Sequence, residues 1–222
     1  MSLPASAAQA TLAQMAMELR LTARRSENVL VTAIIPAVVL VFFASVDLVD
    51  GVSDDPLDFL VPGAFTLAII AASLVNLGIA TGYERHYGVL KRLGGSPLTR
   101  PGLLTAKVST VLVVEVLQFV LLGAIAVWLG WRPGDGASAL VFVAAWLLGT
   151  AAFAGLGLLL AGTLRAEATL AALASVLPAA ALSEAFRTAL GATGNDAAMS
   201  FAILAAWAIG AVTLTARTFR WE

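Results

Sequence analysis

Six apolar runs separated by short polar segments make up most of the 222-residue chain, and they constrain its fold more than any other feature. The runs cover residues 28–46, 59–83, 102–131, 137–164, 168–183 and 197–216. A helix of about 20 residues crosses the ~30 Å hydrocarbon core of a bilayer. The runs therefore predict an all-α integral membrane protein, with six transmembrane helices in a single transmembrane domain over residues 1–222. The fifth run is the weakest, because its length gives only about 24 Å of helix.

Composition supports a membrane protein and excludes several kinds of chemistry. Hydrophobic residues make up 60% of the chain and charged residues 12%, whereas a soluble domain has about 25% charged residues. The chain has no cysteine and a single histidine, His86, so it can form neither a thiolate site nor an imidazole cage. We therefore predict no catalytic residue and no metal site. The formal net charge of −1 gives no indication of a nucleic-acid partner.

The distribution of basic residues predicts the orientation. If the amino terminus is cytoplasmic, eleven of the thirteen lysines and arginines fall in inside segments: Arg20, Arg24, Arg25, Arg85, Lys91, Arg92, Arg100, Lys107, Arg165, Arg217 and Arg220. This is the positive-inside pattern, and it predicts a multi-pass protein of the inner (plasma) membrane with both termini cytoplasmic. Trp128 and Trp131, at the end of the third run, are expected to be interfacial anchors. A secretory signal peptide is the alternative for the first run. Its apolar region would span only ~7–15 residues, which is shorter than the run over residues 28–46.

Residues 10–25 precede the first run and predict an amphipathic helix. Leu12, Met15 and Leu19 share one face, whereas Gln14 and Glu18 lie away from it. Such a helix is suited to the cytoplasmic membrane interface.

The connection between the second and third runs carries the most specific pattern in the chain. It reads Glu84-x-x-x-Gly88-Val-Leu90-Lys-Arg-Leu93-x-x-Ser96-Pro97-Leu-Thr99-Arg100. The apolar spacing predicts a short helix, Gly94-Gly95 ends it, and the Ser-Pro and Thr-Arg-Pro segments start the next helix. A solvated basic loop that only orients the protein is the simpler interpretation. The order of residues, however, resembles the signature of type-2 ABC exporter permeases, the membrane subunits of ATP-driven exporters that include multidrug and antibiotic-resistance exporters. Val89 stands where that family has threonine.

The resemblance implies that residues 84–93 form a coupling helix in a groove of a cytoplasmic ABC ATPase, present in two copies per transporter. The residues expected to contact the ATPase are Glu84, Arg85, Tyr87, Gly88, Leu90, Lys91, Arg92 and Leu93, with the first two at the entrance of the helix. It also implies a second permease copy or a sibling permease as a partner within the membrane lipid. The chain has no Gly-x-x-x-x-Gly-Lys-Ser/Thr motif, so ATP and Mg²⁺ are expected on the partner, with no cofactor and no enzyme activity in this chain.

Three polar residues within the runs are candidates for a translocation pathway. Glu115 lies about 18 Å along the third run, where an ionised carboxylate costs roughly 2.5–3.5 kcal/mol. Gln118 is one turn further on, and Asn76 lies in the second run. The alternative for Glu115 is a carboxylate hydrogen-bonded to a neighbouring helix. The small residues in Gly78-x-x-x-Gly82 and Gly157-x-x-x-Ala161 predict close packing of helices rather than a role in the pathway.

The sequence thus predicts a permease subunit of an ABC exporter. Two such subunits would form a dimeric pathway for a lipophilic or amphiphilic small molecule: a drug, an antibiotic or a lipid-like compound. The alternative is a self-powered, proton-coupled carrier that uses Lys107 and Glu115 as a relay, although it lacks the paired interrupted helices of such carriers. An intramembrane enzyme would need several ionisable groups at one depth.

Overall fold

The computed structural model describes residues 6–24, 26–46, 56–163, 179–192 and 198–218, and this part of the chain contains helices and no strand. The helices are α1 (Ala7–Arg24), α2 (Ser26–Ser45), α3 (Pro56–Ile69), α4 (Leu77–His86), α5 (Val89–Leu93), α6 (Arg100–Trp128), α7 (Ala139–Thr163), α8 (Ala179–Ala189) and α9 (Ala198–Thr218). A π-helical segment, Ile70–Asn76, joins α3 to α4.

Four helices among the described residues are long and apolar enough to cross a bilayer, and they overlap the second, third, fourth and sixth apolar runs. They are Pro56–His86, Arg100–Trp128, Ala139–Gly162 and Ala198–Arg217. The first run is helical as α2, Ser26–Ser45. Most of the fifth run, residues 168–178, lies outside the described residues. Its last residues begin α8, which continues past the predicted end at residue 183.

An aromatic cluster forms the centre of the largest core. Phe65, Phe119, Phe142, Phe186 and Trp146 come from α3, α6, α7 and α8, with ring centroids 4.9–6.1 Å apart. Most of these pairs have the edge-to-face geometry that aromatic quadrupoles favour, worth about 0.5–1.5 kcal/mol a pair. Since lipid tails are as apolar as these side chains, close packing holds the helices together here rather than exclusion from water.

The end of the helices that carries α8 is closed by backbone hydrogen bonds and one buried tryptophan. The Gly134 N–H donates to the Leu190 carbonyl (2.9 Å), and the Ser138 N–H donates to the Ala189 carbonyl (2.7 Å). Trp131 is buried, and its Nε1 donates to Asp58 Oδ1 at 2.9 Å. The anchor role of Trp131 stays a prediction, and the structure adds that its ring is buried and that its indole has an acceptor on α3.

The π segment and α7 approach each other closely at Gly157. A Cβ on Gly157 would lie 2.8 Å from the Leu74 carbonyl oxygen and 2.9 Å from that of Ser73. A Cβ on Gly78 would lie 3.3 Å from the Gly157 carbonyl oxygen. The packing prediction is thus confirmed for Gly78 and Gly157. It was wrong for Gly82, where an added Cβ would meet nothing within 4 Å.

We expect Gly157→Ala to lower the thermal stability of the detergent-solubilised protein. The added methyl group would collide with backbone oxygens, which cannot move aside as the tip of a side chain can, and overpacking typically costs about 1–3 kcal/mol. Gly123→Ala is the matched control, since an added Cβ there meets nothing within 4 Å and alanine favours helix by up to about 1 kcal/mol over glycine. Equal unfolding temperatures for the two variants would contradict the close approach of α7 and the π segment.

Candidate functional site

The segment predicted as one coupling helix, residues 84–93, is divided between two helices. Helix α4 ends at His86, and α5 begins at Val89 after a turn. Gly88 has φ 67°, a left-handed conformation that glycine adopts without the steric cost of a Cβ. The expectation of a single helix was therefore wrong, and Glu84 and Arg85 belong to the end of a membrane-spanning helix.

Helix α5 is held in place by buried Leu90, and its Lys91 and Arg92 face outward beside exposed aromatic side chains from the end of α4. Leu90 is 1% exposed and packs with Leu98 and Leu103, while Leu93 and Ala10 border this contact. The outward side chains form what we call the α5 surface: Tyr83, His86, Tyr87, Lys91 and Arg92, all exposed. The rings of Tyr83 and Tyr87 stack at 6.2 Å, and the His86 ring meets Tyr87 edge-on at 5.1 Å.

The connection from α5 to α6 is short and capped, as the sequence predicts. Ser96 Oγ donates to the Leu93 carbonyl at 2.7 Å. Thr99 is the N-cap of α6, and its Oγ1 accepts from the Gly102 N–H at 3.2 Å, with proline in the first turn. This capped connection joins the end of α5 closely to α6, and the turn at Gly88 joins its start to α4.

A buried lysine links α1, α4 and α6. Lys107 is 1% exposed, and its Nζ lies 2.9 Å from Glu18 Oε1 and 2.7 Å from Glu84 Oε2. Gln14 Nε2 also donates to Glu18 Oε1, at 2.9 Å. We call Lys107, Glu18 and Glu84 the Lys107 cluster. Helix α1 therefore turns Gln14 and Glu18 toward the protein. Leaving the buried ammonium of Lys107 unpaired would cost more free energy than a purely apolar contact of α1 would gain.

Arg85 links the end of α4 to the end of α7. Its guanidinium donates to the carbonyls of Ala161 (3.2 Å) and Gly162 (2.8 Å). The last carbonyls of a helix lack partners within the helix and carry partial negative charge, so an arginine there is stabilising. Glu84 and Arg85, both predicted to contact the ATPase, thus have partners inside the chain.

Sequence reasoning missed the Lys107 cluster. The sequence pattern that could have predicted it is a lysine near the start of an apolar run, Lys107, with a glutamate on each of two other segments, Glu18 and Glu84. Periodicity could not show that α1 folds back against α6, because that contact joins residues far apart in the sequence.

We expect Lys107→Met to detach α1 from α6. The substitution leaves two partly buried carboxylates without their cation, and breaking a buried ion pair typically costs about 3–5 kcal/mol. The chain has no cysteine, so maleimide labelling of Thr11→Cys, next to Gly102, would report the separation as faster modification.

Two further variants control this experiment. Lys91→Met removes an exposed lysine and should leave the labelling rate unchanged. Adding Glu18→Gln and Glu84→Gln to Lys107→Met removes the unpaired charges and should slow labelling again. If Lys107→Met labels at the wild-type rate, the cluster does not hold α1.

Glu115 joins α6 to α7. Its Oε2 accepts hydrogen bonds from Trp146 Nε1 and Thr150 Oγ1, both at 2.7 Å, and these donors lie one turn apart on α7. Glu115 is fully buried and Gln118 is 2% exposed. The contacts support the hypothesis of a carboxylate bonded to a neighbouring helix, and the pathway role of Glu115 and Gln118 stays a prediction. Lys107 and Glu115 share no hydrogen-bond partner among the described residues, so no contact links them as a relay.

We expect Glu115→Leu to destabilise the protein and Glu115→Gln to be tolerated. Leucine leaves the Trp146 and Thr150 donors buried without an acceptor, at about 1–3 kcal/mol each, whereas glutamine keeps one carbonyl oxygen. Thermal unfolding in detergent measures both. Equal unfolding temperatures for the two variants would show that these hydrogen bonds do not support the α6–α7 contact. Slower transport by Glu115→Gln at an unchanged unfolding temperature would favour the pathway role.

A cavity opens at each end of the described helices. The first, the α1–α6 cavity, has a volume of about 260 Å³ and is lined by α1, the π segment, α4, α5 and α6, with Asn76 and the whole Lys107 cluster in its wall. The second, of about 580 Å³, lies at the other end and is bordered by Phe65, Phe119, Trp131 and Phe142. Neither is lined by Glu115 or Gln118, so the structure separates Asn76 from the other two candidate pathway residues.

The long apolar helices, with short connections and a polar corner at α5, define a multi-pass membrane protein. Residues 9–182 match the model of the ABC-2 type transporter family, and this match covers α1 through the start of α8. The chain therefore belongs to that family, the type-2 ABC transporter permeases, whose domain is a membrane transporter domain rather than an ATPase and normally works with an ABC ATPase. No curated protein and no solved structure matches the chain.

Proposed function

We propose that this chain is the permease subunit of an ATP-driven exporter, and that α5 is where a cytoplasmic ABC ATPase docks. Family membership supports a transporter permease. The observation that carries the docking proposal is the α5 surface. A short helix anchored by Leu90 turns two basic side chains, Lys91 and Arg92, away from the protein, next to the exposed rings of Tyr83 and Tyr87 at the end of α4.

The contacts around α5 suggest how a movement of the ATPase reaches the membrane. Displacing α5 shifts α4 and α6 together, because α5 is joined to both through short turns. The Lys107 cluster carries the displacement to α1, and Arg85 carries it to the end of α7. ATP-driven closure of two ATPase copies could thus bias the permease between inward-open and outward-open arrangements.

Charge supports the orientation of the proposed assembly. The α5 surface, the Lys107 cluster and Arg85 lie at one end of the helices, whereas Asp58, Glu184 and the turns near Gly134 lie at the other. The positive-inside rule then places α5 and both termini in the cytoplasm, within the inner (plasma) membrane. ATP and Mg²⁺ belong to the ATPase in this proposal, and the chain itself binds no cofactor.

The proposed transporter has two permeases, either two copies of this chain or one copy with a sibling. Helices α6, α7 and α9 expose large apolar side chains that lipid or a second permease would cover: Val116, Leu117, Val120, Leu140, Leu147 and Ile209. The proposed cargo is a lipophilic or amphiphilic small molecule. The proton-coupled alternative has no comparable support, because Lys107 and Glu115 have separate partners.

The test is affinity purification of the tagged chain from native membranes in mild detergent, with mass spectrometry of the proteins that co-purify. We expect an ABC ATPase with the wild-type chain and its loss when Tyr87, Lys91 and Arg92 are changed together to alanine. These outward side chains can be removed while Leu90 and the Lys107 cluster remain intact.

The matched control is Arg20→Ala with Arg24→Ala, which removes two exposed basic residues from α1 and should leave the ATPase bound. Loss of the ATPase in both variants would show a general charge effect instead of docking at α5. The proposed function fails if no ATPase co-purifies and the reconstituted chain alone moves cargo under a proton gradient.

A further inference from the structure

The π segment, Ile70–Asn76, gives the span Pro56–His86 one spare residue. Hydrogen bonds from i to i+5 accommodate an extra residue in a turn, and such segments are frequent at functional sites. If the π segment became α-helical, each residue of α4 would move into the place of the residue that follows it. That change is a rotation of about 100° and a shift of about 1.5 Å along the helix. Two registers against the neighbouring helices are therefore available to α4.

Three contacts hold α4 in the observed register. A Cβ on Gly78 would lie 3.3 Å from the Gly157 carbonyl oxygen, so the two backbones nearly touch. Glu84 Oε2 lies 2.7 Å from Lys107 Nζ. The Arg85 guanidinium donates to a carbonyl at the end of α7 at 2.8 Å. The observed register is thus fixed at its middle by α7 and at its end by two charged side chains.

Other residues of α4 suit the shifted register better than the observed one. Thr81 is 1% exposed, and its hydroxyl oxygen has no hydrogen-bond partner among the described residues. A shift would take Thr81 to the place of Gly82, where an added Cβ meets nothing within 4 Å. Ala80, a small apolar residue, would take the buried place of Thr81. Since a buried hydroxyl without a partner is unfavourable, this exchange offsets part of the loss of the three contacts.

The α1–α6 cavity provides the room for the movement. In the shifted register Leu77 would occupy the place of Gly78, where α7 leaves no space for its side chain, so α4 has to move away from α7. Ala80 lines the cavity and lies about 200° around the helix from Gly78. The cavity, with a volume of about 260 Å³, therefore borders the side of α4 opposite α7.

We propose that displacement of α5 converts the π segment to α-helix, so that α4 turns by one residue position and moves from α7 toward the α1–α6 cavity. Helix α5 follows α4 directly after the turn at Gly88, so its displacement acts on the end where Glu84 and Arg85 hold the register. The π segment and α4 are then the bistable element of the permease. Their role in transport rests on the proposed function, whereas the change of register belongs to the chain itself and needs no ATPase.

The test reads the register from cysteine reactivity, since the chain has no cysteine. Position 80 lines the cavity, whereas Ile79 does not line it and is 56% exposed on another face of α4. A shift would bring position 79 to the cavity and bury position 80. A charged maleimide labels the single variants Ala80→Cys and Ile79→Cys in nanodiscs, and the ratio of the two rates reports the register. We expect Arg85→Gln to lower this ratio roughly tenfold, through the loss of charged hydrogen bonds that hold the observed register.

A second variant releases α4 at a different contact. Gly157→Ala pushes the π segment off α7 and should also lower the ratio, so the test remains decisive if one of the two variants does not fold. The matched controls are Arg92→Gln, which removes an exposed guanidinium from α5, and Gly123→Ala, where the added methyl group meets nothing within 4 Å. Both should leave the ratio unchanged.

Deletion of Ala71 distinguishes a change of register from a bodily movement of α4. The deletion removes the spare residue, so the π segment can become α-helical while α4 keeps its observed neighbours. In the shortened chain Arg85→Gln should no longer change the ratio. An equal fall of the ratio with and without Ala71 would overturn the proposal, as would an unchanged ratio in both Arg85→Gln and Gly157→Ala. A chain that shows the shift but recovers no ATPase would keep the change of register and lose the proposed function.

Discussion

A lysine ammonium buried at the end of the helices that carries α5 must be paired, and the structure around α5 depends on that pairing. Desolvating a charge costs several kcal/mol even after relaxation, so Lys107 is compatible with its position only because Glu18 and Glu84 surround it. One partner comes from the helix that precedes the membrane and the other from the end of a span. The pairing therefore fixes α1 against α6 and fixes the distance between α4 and α6 at the point where α5 connects them.

Rigid packing deeper in the membrane complements this charge pairing. The Gly157 backbone lies against the π segment, and Thr215 Oγ1 donates to the Gly155 carbonyl at 2.9 Å. Where the backbones of two segments touch directly, as at Gly157, the helices cannot easily slide past each other, because a shift brings backbone atoms into collision. The π segment carries one extra residue per turn and lies between α3 and α4 in the span Pro56–His86. Helix α4 can therefore run in a different direction from α3. A displacement of α5 would thus reach α4, which need not move as one rigid body with α3.

Much of the fold could be predicted from the sequence, and the reasons for the failures are physical. Long apolar runs predicted the spans at α6, α7 and α9 closely, because helix length in a bilayer is set by hydrocarbon thickness. Glycine and proline signals correctly ended α5 and began α6. The turn at Gly88 was missed because glycine is common in helical signatures, and only the backbone shows that φ is positive. Contacts between distant segments, such as those of Trp131 with Asp58 and of Lys107 with Glu18, have no local pattern to reveal them.

The turn at Gly88 also determines which residues are available to a partner. Had residues 84–93 formed one helix, Glu84 and Arg85 would have continued the outward face, and the ATPase would meet both acidic and basic groups. The left-handed residue ends α4 early and reverses the chain, so Glu84 and Arg85 stay with the permease while Lys91 and Arg92 face outward. The exposed corner is then basic and aromatic, and its complement is an acidic, apolar groove. In the proposed assembly, the residues that join α5 to the permease differ from those that would contact the ATPase, so each set could be altered without the other.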